Sequence, residues 1–128
     1  MVVFGNRRLG PGVELLLSPD VARAMLEATA AAARATASAR WERELSEWLE
    51  HLAVGEPNLD VDDLAWTPEH FELQRRFLVE AIEVAAAASV HASALRRWSR
   101  MVASHPRASV QVGRRWQWSR ADPTSRNN

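Results

Sequence analysis

The chain has 128 residues, 47% of them hydrophobic, with sixteen basic and sixteen acidic residues for a formal net charge of zero. That is the profile of one globular domain able to bury a core without a disulfide or metal staple. The absence of Cys excludes thiol chemistry, and no apolar run approaches the roughly 20 residues of a membrane span.

The N-terminal stretch is broken by Gly5, Arg7, Arg8, Gly10, Pro11 and Gly12, so no signal peptide is expected and a cytoplasmic location follows. Val2 to Phe4 and Val13 to Leu17, separated by Gly, Pro and Asn, read as two short strands or a strand and a loop. Ser18-Pro19-Asp20 then supplies a capping acceptor, a ring with preset φ and a first-turn carboxylate, which predicts a helix from Pro19. Val21, Met25, Ala28, Trp41, Leu45, Trp48, Leu49 and Leu52 keep three-and-four spacing, so this helix is predicted to run on to a stop at Gly55.

An acidic connector, Glu56 to Ala65, leads to Thr67-Pro68-Glu69, which repeats the start signal, with Trp66 placed to staple onto Phe71. The second helix is predicted from Pro68 to about Ser104, ended by His105-Pro106. Beyond it, Val110, Val112, Trp116 and Trp118 alternate with polar residues as a half-buried strand does, and Gly113-Arg114 offers a hairpin turn instead. The expected fold is therefore mainly α. It is an antiparallel hairpin of two long helices with a small β element formed by the N- and C-terminal segments, in one domain over 1–121 with a disordered tail at 122–128. In that hairpin the alanine-rich stretches, Ala28 to Ala39 and Ala85 to Ala94, would meet, Trp41, Leu45 and Trp48 would fall opposite Phe77, Ile82 and Leu73, and Val21 and Met25 opposite Leu95, Trp98 and Met101.

Enzyme signatures are missing. Gly5 to Gly12 lacks the Lys-Ser/Thr of a phosphate loop, and Asp60-Val61-Asp62-Asp63 lacks the glycine and terminal glutamate of a calcium loop. His51, His70, His91 and His105 show no metal-ligand spacing, although His51 and His70 would come close to Glu47, Glu50 and Glu69 at the open end of a long hairpin. The serines stand in no elbow or triad. No catalytic residue, metal or cofactor is assigned, and a non-enzyme is expected.

Charge placement is more informative. Glu47, Glu50, Glu56, Asp60, Asp62, Asp63, Glu69 and Glu72 belong to an acidic stretch and are the first candidates for a partner-binding surface. The alternative is a basic face of Arg96, Arg97, Arg100, Arg114, Arg115, Trp116 and Trp118, whose Arg and Trp could also stack on single-stranded nucleic acid. Zero net charge and the lack of a nucleic-acid motif favour a protein partner over that third reading, and no membrane partner is expected.

The segment Asp63-Leu64-Ala65-Trp66-Thr67-Pro68-Glu69-His70-Phe71-Glu72-Leu73-Gln74-Arg75-Arg76-Phe77-Leu78, with Arg97-Trp98 and Val110-Gln111-Val112-Gly113-Arg114-Arg115-Trp116, resembles small bacterial immunity proteins of polymorphic toxin systems. The resemblance implies a non-catalytic protein that binds and neutralises a cognate toxin, with the acidic residues facing a basic toxin. Gly12-Val13-Glu14-Leu15-Leu16-Leu17-Ser18-Pro19-Asp20-Val21 and the Ala-rich helix behind it resemble tail-completion and neck proteins of tailed phages, without that family's usual Thr-Gly strand start after the first helix. This second resemblance implies a virion assembly protein built of self-complementary or head-to-tail charged faces.

Overall fold

A computed structural model describes residues 2–5, 14–55, 59–60 and 71–104. The chain is mainly helical, in the order β1 (Val2–Gly5), β2 (Glu14–Leu17), α1 (Pro19–Thr36), α2 (Arg40–Val54), β3 (Leu59–Asp60), α3 (Phe71–Ala87) and α4 (Ala92–Ala103). Helix α1 starts where its cap dictates: Pro19 takes the first helical position and the Val21 N–H donates to Ser18 Oγ at 3.3 Å. Ahead of it β1 and β2 pair antiparallel, Val3 against Leu16, and β3 runs parallel to β1 on its other side, giving the strand order β2-β1-β3. Leu15 and Leu17 of β2 face the core while Leu16 between them is exposed, as the two-residue period of a strand requires.

Neither long helix is continuous, which corrects the expected long-helix hairpin. The first rod breaks at 37–39, where Ala37 and Ala39 adopt extended backbone with ψ of 132° and 157°. The Glu42 carboxylate holds this break. Its Oε1 accepts from the Ser38 N–H at 2.7 Å, the Ala39 N–H at 2.9 Å and the Ser38 hydroxyl at 3.2 Å, satisfying donors that a continuous helix would have bonded to its own carbonyls. Arg43 donates back to the Ser38 carbonyl at 2.7 Å. Replacing Glu42 by Ala is therefore expected to cost about 1 kcal/mol in urea denaturation, and an unchanged midpoint would show that the break is held by packing alone.

The second rod breaks after Ala87. The Ala88 and Ser89 N–H groups donate to the carbonyls of Ala85 and Ala86, tightening the last turn, and Ser89 Oγ accepts from the His91 N–H at 2.9 Å. At each break the chain turns back on itself. Arg23 Nε of α1 donates to the Ala53 carbonyl near the end of α2 at 2.7 Å, across 30 positions. Arg75 Nη1 of α3 donates to the Ala103 carbonyl at the end of α4 at 3.1 Å, across 28 positions. Two short helical hairpins result. Helices α1 and α3 pack on each other, α2 lies on α1 and α4 on α3. One contact placed by the long-hairpin reading is nonetheless present: Trp41 meets Phe77 edge to face, with ring centroids 5.3 Å apart.

One continuous core runs through both hairpins, from Leu15 and Leu17 through Met25, Leu26, Trp48, Leu49, Phe71, Leu78, Ile82 and Leu95 to Trp98 and Val102. Within it Ala30 and Ala33 of α1 and Ala81, Ala85 and Ala86 of α3 are buried, so the alanine-rich stretches line the core and supply its thin side chains. The proposed strand at 110–118, the helix start at Pro68, the Trp66 staple and the tail lie outside the described residues.

The two hairpins are built alike. Buried Ala22, Leu26, Thr29, Ala30 and Ala33 of α1 correspond in order and spacing to buried Gln74, Leu78, Ala81, Ile82 and Ala85 of α3. Leu45, Trp48, Leu49 and Leu52 of α2 correspond in the same way to Leu95, Trp98, Ser99 and Val102 of α4. The clamps correspond too. Asp20 lies 3.6 Å from Arg23, Glu72 lies 2.6 Å from Arg75, and each arginine reaches over to the carbonyl end of its partner helix, where the helix dipole favours a cation. Arg75 also sits over the Phe71 ring, 5.1 Å from its centroid.

Candidate protein-interaction surface

Helix α4 separates its chemistry cleanly. Leu95, Trp98, Ser99 and Val102 are buried, which leaves Arg96, Arg97 and Arg100 on the exposed side with no acidic residue anywhere in the helix. Spacings of three and four put Arg97 and Arg96 each one turn before Arg100, so three guanidinium groups share one face. Among the described residues none of the three has an ion-pair partner. Like charges this close repel, and a carboxylate-bearing partner relieves that repulsion while offering the planar two-oxygen geometry a guanidinium prefers.

The acidic candidates are placed differently. Glu50 forms a two-pronged ion pair with Arg34 across the first hairpin. The hydrogen bond and charge of Glu50, with a further contribution from Glu47, raise the Arg34 pKa above its ordinary value. Glu72 is engaged by Arg75, Glu44 by Arg40 at 3.3 Å, and Glu42 by the α2 cap. Glu47 remains exposed on the outer side of α2. The side chains of Glu56, Asp60, Asp62, Asp63 and Glu69 lie outside the described residues, as do Arg114, Arg115, Trp116 and Trp118. Of the described acidic candidates, Glu50 and Glu72 are thus drawn into ties within the hairpins while Glu47 stays open, and the described arginines of α4 are left facing outward.

The structural correspondence sharpens the contrast. Glu47 and Glu50 of α2 occupy the positions of Arg97 and Arg100 of α4, but Glu50 is half-buried and paired with Arg34, so Glu47 alone is an open carboxylate opposite in sign to its α4 counterpart. The signal was present in the chain as Leu45-x-x-Trp48-x-x-x-Leu52-Ala53 and Leu95-x-x-Trp98-x-x-x-Val102-Ala103. Reading each rod as one helix hid it.

Among the described residues no group of three His, Asp or Glu side chains is arranged to hold a metal ion, and no helix is long and apolar enough to cross a membrane. His51 is exposed at the end of α2, while His70 lies outside the described residues. No family model, curated protein or solved structure matches the chain.

Proposed function

We propose that this chain is a non-enzymatic domain that works by binding protein, and that the exposed arginine face of α4 is its primary contact surface. The observation that carries the reading is the set of three outward guanidinium groups, Arg96, Arg97 and Arg100, with no ion-pair partner among the described residues, on a helix whose apolar side is already consumed by the core. Burial of Leu95, Trp98 and Val102 leaves only half-buried Met101 and a few alanines as apolar groups on α4, too little to insert into lipid. Burial of Trp98 removes the one aromatic of α4 as a stacking platform for bases. An acidic protein surface suits the face best.

The resemblance to immunity proteins makes neutralisation of a cognate toxin, in the cytoplasm of a bacterium, the first biological role. The outward guanidinium groups of α4 support that helix, ahead of the acidic stretch, as the contact. The opposite signs of exposed Glu47 and Arg97, at equivalent positions of the two hairpins, favour a second reading, assembly of copies as in the neck and tail-completion proteins.

Fluorescence anisotropy with a labelled helical peptide carrying Glu at four-residue spacing tests the binding mode. Binding is expected at low salt, and R96A/R97A/R100A is expected to weaken it at least roughly tenfold, the order of one or two charged contacts. A triple variant that binds like the parent, or a single-stranded oligonucleotide of equal charge that binds more tightly than the peptide, would overturn the reading.

A further inference from the structure

We infer that the α1–α2 break is an exchange hinge: by straightening, it lets two copies of this chain trade everything ahead of it, β1, β2 and α1, and form a dimer. The inference is independent of what α4 binds.

The break is built to straighten. Ala37, Ser38 and Ala39 include no Gly or Pro, and Ala37 and Ala39 already hold φ of −65° and −83°, close to helical, so the change needed at both is a rotation of ψ. The α1 ladder runs up to the Ala37 N–H, and the α2 ladder resumes at the Ala39 carbonyl. Straightening hands the Ser38 and Ala39 N–H groups from Glu42 to the carbonyls of Arg34 and Ala35, four residues back, so no donor is orphaned. Among the described residues, the hydrogen bonds at Ser38 and Ala39 come from Glu42 and Arg43 of α2, and none from α3 or α4 holds the bend.

A straight rod keeps one apolar stripe, Leu26, Ala30, Ala33, Ala37, Trp41 and Leu45, spaced by three and four. That stripe needs a partner, and a second rod running antiparallel and crossing at the break supplies the one the hairpin had. Both ties between α1 and α2 straddle the break, so each re-forms twice in a two-fold dimer, Arg34 of one copy on Glu50 of the other and Arg23 on the other's Ala53 carbonyl. Strands β1 and β2 pair with each other and travel with α1 as a unit. Helix α4 keeps its place on α3, so the dimer shows the arginine face twice. The closed monomer prevails in dilute solution, because the exchanged form gives up the freedom of one copy and the Glu42 ties.

Refolding from urea at millimolar and at micromolar concentration, followed by size exclusion with light scattering, tests this. The parent chain is expected to yield a dimer fraction at the higher concentration that is absent at the lower. S38A/E42A removes the tie and favours helix at the break, and is expected to raise the dimer-to-monomer ratio at least roughly fivefold, the weight of one lost cap. S38G, which disfavours helix there, is expected to lower it. Copies spin-labelled only at position 27, mixed before refolding with copies labelled only at position 54, are expected to show a distance of about 20 Å in the dimer fraction, since only exchange sets α1 of one copy beside α2 of another. That distance is read on the parent dimer itself and does not depend on any hinge variant folding. A parent that refolds only as monomer, a mixed-label dimer without the short distance, or an S38G dimer as abundant as that of the parent would overturn the inference.

Discussion

Replacing Trp98 by Ala is expected to destabilise the protein by about 3–5 kcal/mol. The indole is wholly buried, on a helix of only 12 residues that is held to the body by Leu95, Trp98 and Val102. A short helix has little stability of its own, so its order depends on the tertiary face it buries. Removing the largest member of that face leaves a cavity that the remaining side chains of a 12-residue helix can fill only in part. The loss is a large share of the roughly 5–15 kcal/mol that stabilises an ordinary domain, and because it falls on the residues that hold α4, the helix and its arginines would lose their fixed geometry together. Urea denaturation followed by circular dichroism at 222 nm measures it. A cost below about 1 kcal/mol, the range of surface substitutions and minor repacking, would show that Trp98 does not anchor α4.

The equivalence of the hairpins sets the second large effect. Leu26 of α1 and Leu78 of α3 hold corresponding positions, and both are buried to 1% exposure or less. Each truncation to Ala is expected to cost about 2–5 kcal/mol, and the two values are expected to be similar because both leucines are fully buried, at corresponding positions, in the one core that runs through both hairpins. A loss of several kcal/mol at one site beside almost none at the other would contradict equivalent placement. The same denaturation series reports both.

Much of the helix content was legible in the sequence because caps act locally. Ser18-Pro19-Asp20 announced the start of α1, Gly55 the end of α2 and His105-Pro106 the end of α4 at Ala103, and each acts within a few residues of the helix end. The interior breaks were not legible in the same way. Ala37-Ser38-Ala39 contains neither Gly nor Pro, and Ala is the best helix former, so propensity argued for continuity. What decided otherwise was Glu42, three residues beyond Ala39, whose carboxylate satisfies the amides that the break exposes. Ser89 does the same for His91.

The candidate site was half legible for a related reason. Counting charges along the chain located the acidic and basic stretches, yet pairing depends on which helices fold together. Glu50 finds Arg34 only because α2 returns along α1, and Glu72 is drawn to Arg75 by the clamp onto α4. Arg96, Arg97 and Arg100 stay exposed because the opposite side of α4 is the apolar one.

The account rests on both rods folding back, since only then do α2 and α4 become equivalent helices, with Glu47 and Arg97 at corresponding positions. The chain has no Cys, so single pairs of spin labels can be introduced on engineered cysteines without competing native thiols. Glu27 and Val54, and Arg76 and Arg100, are exposed positions on the two arms of each hairpin. In continuous helices these pairs would lie about 40 and 36 Å apart at 1.5 Å per residue. Arms packed side by side at the usual 8–10 Å between helix axes put both label pairs at about 20 Å. Double electron–electron resonance distances near the shorter value for both pairs are expected, and a distribution centred on the longer value for either pair would contradict the two-hairpin fold and everything drawn from it.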